Sequence, residues 1–193
     1  MNRVFALLLL IILSPFLILI AIVLYLTGHK QVLFVQKRIG QFGKPFKLYK
    51  FQTMIPDKSI NTTVTQKNDP RITRLGSFLR KYKIDELPEL INIIKGDMNF
   101  VGYRPDVSGY YDRLKEEEKI ILNFKPGITG PASLKYIDEE EILASKNDPE
   151  KYNNEVIFPD KIRINLEYLK RRSFVHDLKI ILYTIFRKKW NEY

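Results

Sequence analysis

Two adjacent carboxylates, Asp85 and Glu86, stand inside the stretch Ile72 to Pro105 with basic residues on both sides. Arg80, Lys81 and Lys83 precede the pair, and Arg104 follows a further acid, Asp97. Cations converging on a carboxylate at a helix start favour its ionised form and hold an anionic ligand beside it. Such an oxygen could act as a nucleophile on phosphorus. The plainer reading is that Asp85 caps a helix and Glu86 complements its dipole, together worth about 1 kcal/mol. Spacing narrows the other options. Neighbouring helical residues point roughly 100° apart, so the pair is poorly placed to flank a glycosidic bond across the roughly 5 to 9.5 Å that glycosidases use. Phosphoryl chemistry asks instead for an anionic nucleophile, cations to neutralise a diphosphate and positioned donors. Carboxylates there also suit Mg²⁺, which takes few protein oxygens beside those of a phosphate.

The elements that must position this pair follow from periodicity. Ile72, Leu75, Phe78, Leu79 and Tyr82 recur at helical spacing, and Leu87, Leu90, Ile91 and Ile94 make a second stripe that stops at Lys95-Gly96. Asp85 then falls near the start of a short buried helix, with Pro88 in the first turn where it removes no hydrogen bond. Gln31–Ile39 and Lys44–Met54 read as two short strands around a Gly40–Gly43 turn. Residues 55–70 read as an exposed loop, and the charged run Tyr110–Phe124 as a solvated helix. Lys125–Pro131 is turn-rich; its glycines could bring backbone N–H groups to a phosphate or uracil, or form a plain connector. Phe174, Val175, Leu178, Ile181, Leu182, Ile185 and Phe186 keep a helical period, closed by Arg187-Lys188-Lys189-Trp190. That helix either packs on the core or lies in a membrane interface with the tryptophan and cations at its edge.

A chain of 193 residues, 45% hydrophobic, accommodates one domain plus an anchor. The absence of cysteine excludes a disulfide framework and a thiolate zinc site. His29 and His176 lack metal-ligand neighbours in sequence and read as interfacial or surface residues. The net charge is +10, and no acid precedes Asp57, which suits nucleic acid, an anionic lipid surface or a phosphorylated substrate. Residues 4–26 are almost continuously apolar and long enough to cross a bilayer. They are too long for a signal-peptide core, and no small-residue cleavage site follows. Ser14-Pro15 sits at their centre, where proline predicts a kink, and basic residues flank both ends. A helix that breaks there and returns to the same face satisfies both facts, against a straight transmembrane helix.

The segments QKRIGQFGKPFKLYKFQTM (36–54), DPRITRLGSFLRKYKIDELPELINIIKGDMNFVGYRP (69–105) and KPGITG (125–130) together resemble the bacterial sugar transferases known as monotopic phosphoglycosyl transferases. These enzymes move a phosphosugar from a nucleotide onto polyprenyl phosphate. The resemblance implies an α+β, mainly helical fold: a re-entrant membrane helix kinked at Ser14 and Pro15, a small β-hairpin, and amphipathic interfacial helices around a compact catalytic domain. Residues 1–30 would be the anchor and 31–193 the cytoplasmic catalytic domain, at the bacterial inner membrane. It also implies that Asp85 attacks the sugar-bearing phosphate of a UDP-sugar and releases UMP. Glu86 would assist by orienting Mg²⁺ or relaying a proton, and Asp85 and Glu86 would hold that ion. Arg80 and Arg104 would clamp phosphates, while Lys50 and Arg38 line the polar wall. The implied partners are a UDP-sugar, polyprenyl phosphate, membrane lipids and downstream glycosyltransferases, with a homodimer allowed and no nucleic acid. Three departures stand out: Gln52 replaces a usual basic residue, Tyr103 a usual proline, and the acidic run from Ala132 to Asp160 differs from the better-known small members. Two other readings stay open: a membrane-tethered basic nucleic-acid-binding module and a scaffold protein with no reaction.

Overall fold

The computed structural model describes residues 2–29, 31–55 and 69–190; the loop reading for 56–68 lies outside them. Two compact units emerge, the first from 2–29, 31–38, 45–55 and 69–98, the second from 39–44 and 99–190.

In the first unit, the apolar run forms one helix, α1 (Asn2–Leu26), with a mean hydropathy of 3.3 over its most apolar window. The helix continues through Pro15 without interruption. Proline cannot bond to the carbonyl four residues back, that of Ile11. The Ser14 hydroxyl donates to that same Ile11 oxygen at 2.7 Å and so replaces the missing N–H. A stripe along α1 is withdrawn from solvent: Ala6, Leu9, Leu10, Leu13, Leu17, Ile20 and Leu24. Its C-terminal half packs Leu17, Ile20, Ala21 and Leu24 on Phe51, Leu75, Leu79 and Ile84. At the other end the Arg3 guanidinium lies where a Cβ on Gly96 would stand.

Strands β1 (Leu33–Ile39) and β2 (Pro45–Phe51) pair through a short 3-10 turn, Gln41–Gly43, as the sequence leads one to expect. Helix α2 (Arg74–Lys81) is capped by Thr73, whose hydroxyl accepts the Gly76 N–H at 2.9 Å. Gly76 must be glycine, because the Thr53 backbone passes where its Cβ would stand. Thr73 N–H donates to Thr53 C=O, and Met54 bridges Ile72, so the strand's exit is stitched to the helix start. Next comes a 3-10 helix, Ile84–Glu89, entered through Lys83 at φ 57°, which continues as α3 (Leu90–Lys95) and ends at Gly96, φ 88°. The stop at Gly96 is the expected one. Pro88 explains the tight first half, since it has no N–H to return to the Ile84 carbonyl.

In the second unit, β3 (Asn99–Val101) and β4 (Gly127–Thr129) pair in parallel, Asn99 opposite Gly127 and Val101 opposite Thr129. Here Lys125–Pro131 departs from the expected turn. Its glycines serve a close crossing of backbones: a Cβ on Gly102, Gly127 or Gly130 would collide with main-chain atoms of the facing segment. The following helices are α4 (Pro131–Lys135), α5 (Glu139–Ala144), α6 (Pro149–Tyr152), which runs through a π-turn into α7 (Phe158–Arg171), and α8 (Phe174–Ile185). The charged run 110–124 is not a solvated helix. It makes two short 3-10 turns that bury Tyr111, Leu114, Ile121 and Leu122 against Ile39, Tyr103 and Ile162. Its few apolar side chains lack a continuous helical stripe, so each anchors the core separately.

Two aromatic expectations need correction. Trp190 is not an interface anchor but a core residue, 1% exposed, beside Tyr168 and Ile180, with His176 stacked on it at 5.4 Å. His29 is buried rather than at the surface, its Nδ1 3.4 Å from Thr27 Oγ1. The outer face of α8 does stay uncovered: Phe174, Val175, Leu178, Leu182 and Ile185 are exposed.

Candidate active site

Both carboxylates of the pair, Asp85 and Glu86, belong to the first unit and sit on the 3-10 helix. A 3-10 helix has three residues per turn, so Glu86 and Glu89 project from one face while Asp85 is rotated about 120° away. That shared face meets β2. The Lys50 ammonium lies 3.1 Å from Glu86 Oε1 and 3.3 Å from Glu89 Oε1. All three acids are buried, Asp85 and Glu86 at 6% exposure and Glu89 at 1%.

Asn92 fixes the register of this contact. Its side-chain oxygen accepts Tyr49 N–H at 3.2 Å, and its Nδ2 donates to Lys47 C=O at 2.6 Å and Asp97 Oδ2 at 3.3 Å. The amide thus occupies the edge of β2 as a neighbouring strand would, and Lys50 follows one residue beyond. Of the stripe Leu87, Leu90, Ile91 and Ile94, Leu90 is buried as expected but Leu87, Ile91 and Ile94 are only half-buried; the polar side chains Asp85, Glu86, Glu89 and Asn92 are buried with Leu90 and Ile93. Buried polar groups demand partners, and β2 provides them through its backbone and Lys50.

Asp85 is the exception. Its Oδ1 is buried with no hydrogen-bond partner. Burial, and next the charge of Glu86, push its carboxyl above the usual range, against the opposing pull of Lys50, Lys83 and Arg80. The expectation that the cations would favour the ionised form therefore fails for the protein alone: desolvation outweighs them. Asp85 does not cap the helix either, because the N-cap position is Lys83.

The remaining sequence-predicted residues fall as follows. Arg80, at the end of α2, reaches Met54 Sδ at 3.7 Å and contributes its field to Asp85. Arg38, on β1, donates to Gln36 Oε1 at 2.8 Å. Arg104 lies half-buried after β3, in the second unit. Gln52 is buried and turned onto its own strand, donating to Met54 C=O at 2.6 Å. Tyr103 packs in the second unit's core with its ring 4.7 Å from that of Tyr111, and burial pushes its hydroxyl far up, so it is neutral. Sequence reasoning missed Glu89 and Asn92. Their signal was present as polar residues within an apolar run, at intervals of three from Glu86.

The donor set suits Mg²⁺ in the sparing way this ion uses protein ligands, with one or two carboxylates beside phosphate oxygens. Asp85 Oδ1, a buried carboxyl oxygen lacking a partner, is the fitting donor. Among the described residues no cluster of three acidic or histidine side chains is arranged to hold a metal by itself.

Comparison with known proteins places this geometry in context. Residues 1–189 match the family model described as bacterial sugar transferase. The chain is 37% identical over 191 residues to the UDP-glucose:undecaprenyl-phosphate glucose-1-phosphate transferase of Escherichia coli K12, covering 96% of this chain and 39% of that protein. It is 35% identical over 165 residues to the galactosyl transferase CpsE of Streptococcus agalactiae, covering 79% and 33%. A putative undecaprenyl-phosphate N-acetylgalactosaminyl 1-phosphate transferase of Bacillus subtilis is 41% identical over 118 residues, covering 61% and 66%. The chain thus spans well under half of the first two relatives.

Proposed function

The chain belongs to the bacterial sugar transferase family, and from that premise we propose that it moves a phosphosugar from a UDP-sugar to polyprenyl phosphate. The observation that carries this reading is the buried, unpartnered Asp85 oxygen beside the Glu86–Lys50–Glu89 cluster. A structural carboxylate would be hydrogen-bonded; one left bare and desolvated is suited to meet a ligand.

The reaction runs in two displacements. An Asp85 oxygen attacks the sugar-bearing phosphorus, the bond from that phosphorus to the bridging oxygen breaks, and UMP leaves with the electron pair. The phosphosugar remains on the carboxylate as an acyl phosphate. A phosphate oxygen of the polyprenyl carrier then attacks the same phosphorus, restoring the Asp85 carboxylate and forming polyprenyl-diphospho-sugar for downstream glycosyltransferases. Both nucleophiles are anions, so neither displacement requires a net proton. Lys50 and Arg80 would bind the diphosphate charge, and Arg38 would extend that basic wall. Magnesium, held by Asp85 and Glu86 with diphosphate oxygens, would supply charge neutralisation on the leaving nucleotide.

The lipid carrier requires a membrane-bound site. Contact of α1 with the same unit at both ends, Arg3 on Gly96 and Leu24 beside Phe51 and Leu79, supports a re-entrant anchor over a spanning one. A spanning helix would leave the unit at one end. The uncovered apolar face of α8 supports contact with the interface of the inner membrane, on its cytoplasmic side. The family match does not favour the nucleic-acid and scaffold readings.

The decisive experiment incubates the purified chain with a panel of UDP-sugars, undecaprenyl phosphate and Mg²⁺, and reads UMP release. Omitting the lipid should trap a phosphosugar adduct, visible by intact mass and mapped to Asp85. No UMP from any sugar, or an adduct on another residue, overturns the reading.

A further inference from the structure

Glu89 has no part in the two displacements, yet it is the most deeply buried acid of the cluster. Its side chain is 2% exposed, against 8% for Glu86 and 16% for Lys50. One ammonium therefore serves two carboxylates, and the inner of the two is the one with no chemistry assigned.

We propose that Glu89 is a positioning residue: it is the permanent counter-ion that tethers Lys50 while Glu86 releases the ammonium to an incoming diphosphate. The inference rests on the transfer reaction proposed above. In the protein alone, Glu86 Oε1 is engaged with Lys50 at 3.1 Å, so Glu86 must let go before it orients a ligand. An arriving diphosphate carries at least two negative charges and draws the ammonium towards itself. Lysine is a point charge on a flexible stem, and with Glu86 as its sole anchor it would be lost from the wall when that contact opened. Glu89 prevents this. It stands one 3-10 turn beyond Glu86 on the same face, so Lys50 turns outward without leaving its inner partner. Asn92 completes the arrangement by locking the backbone of Lys47 and Tyr49 just before Lys50.

The test uses the full chain in one detergent or nanodisc preparation, as wild type, Glu89→Gln, Glu89→Met, Lys50→Met and the Lys50→Met/Glu89→Met pair. Glutamine still accepts a hydrogen bond from the ammonium; methionine fills the space and cannot. The first measurement is acylation of Lys50 by a small amine-reactive reagent, read by peptide mass spectrometry, which requires no turnover. Wild type and Glu89→Gln should label slowly, and Glu89→Met on the order of tenfold faster, the equivalent of one lost charge-assisted hydrogen bond. The second is steady-state kinetics. Glu89→Met should raise KM for the UDP-sugar about tenfold with a smaller change in kcat, and Glu89→Gln should restore it. In the Lys50→Met background, Glu89→Met should add nothing further. Equal labelling in Glu89→Met and wild type, or a kinetic loss that persists undiminished without Lys50, overturns the proposal. Should Glu89→Met not fold, the double variant against Lys50→Met decides in the same way. If the wild type releases no UMP, the transfer reading fails while the labelling still decides whether Glu89 tethers Lys50.

Discussion

Replacing Asp85 by asparagine should make the protein more stable and leave it inactive. The side chain is 6% exposed, its Oδ1 has no hydrogen-bond partner, and burial raises its carboxyl above the usual range. A value raised in the folded state means that the folded chain holds the proton more tightly than the unfolded one. The stability from that proton is complete below the ordinary carboxyl value and is lost as pH rises through the raised value. Above that raised value the folded protein carries an ionised, desolvated group at a loss, and asparagine removes the charge without changing the shape. Asparagine keeps an acceptor at that position, so the gain is the extra penalty of leaving a charge unpaired there, about 1–3 kcal/mol. At about 2–4 °C per kcal/mol for a chain of this size, Tm should rise on the order of 2–10 °C. The assay is thermal unfolding in detergent, followed by circular dichroism at pH 7.5 and pH 4, beside UMP release. The gain should be present at pH 7.5 and shrink towards zero in acid, where both side chains are neutral. A lower or unchanged Tm at pH 7.5, or an equal gain at both pH values, would refute the argument. The expected pattern is that of a reactive residue maintained against the stability of its surroundings.

Asn92→Ala should lower stability by about 2–4 kcal/mol, because it strips partners from Lys47 C=O and Tyr49 N–H at once, and its activity should fall with the loss of Lys50 placement; unfolding curves and kinetics check both. Gly127→Ala should prevent folding of the second unit, seen as loss of near-ultraviolet dichroism from its aromatic core, since the added Cβ meets Gly102 and Val101 backbone. Fluorescence of the single tryptophan should be insensitive to brominated lipids, because Trp190 lies among Tyr168, His176 and Tyr183; strong quenching would return it to the interface. The proposed nucleophile would act ionised, so transfer should decline as pH falls through the raised value of Asp85, and a rate that holds steady down to the ordinary carboxyl range would contradict this role.

What the sequence disclosed was local. Helix α2, the stop at Gly96 and the hairpin follow from period and turn chemistry within ten or so residues, and the carboxylate pair is visible beside them. What it concealed needs distant partners. Glu89 gains meaning from Lys50, which reaches it from another strand, and Asn92 from the backbone of that same strand. The glycines of the Lys125–Pro131 stretch looked available for a ligand, yet Gly102 approaches them so closely that they are consumed in a backbone crossing. Tyr110–Phe124 misled through its charges, because burial there depends on four separate apolar side chains rather than a stripe. Trp190 misled through its basic neighbours, while the chain turns back after α8 and places the ring inside.

The hydroxyl of Ser14 gives the apolar helix a property that outlasts its present packing. A bare carbonyl in hydrocarbon costs several kcal/mol, and Pro15 would create one at Ile11. Because the donor is carried three residues away on the same segment, the Ile11 carbonyl needs neither water nor a neighbouring helix to be satisfied. The 25 residues of α1 thus answer this carbonyl from within, so any apolar surroundings that admit the helix also admit its proline.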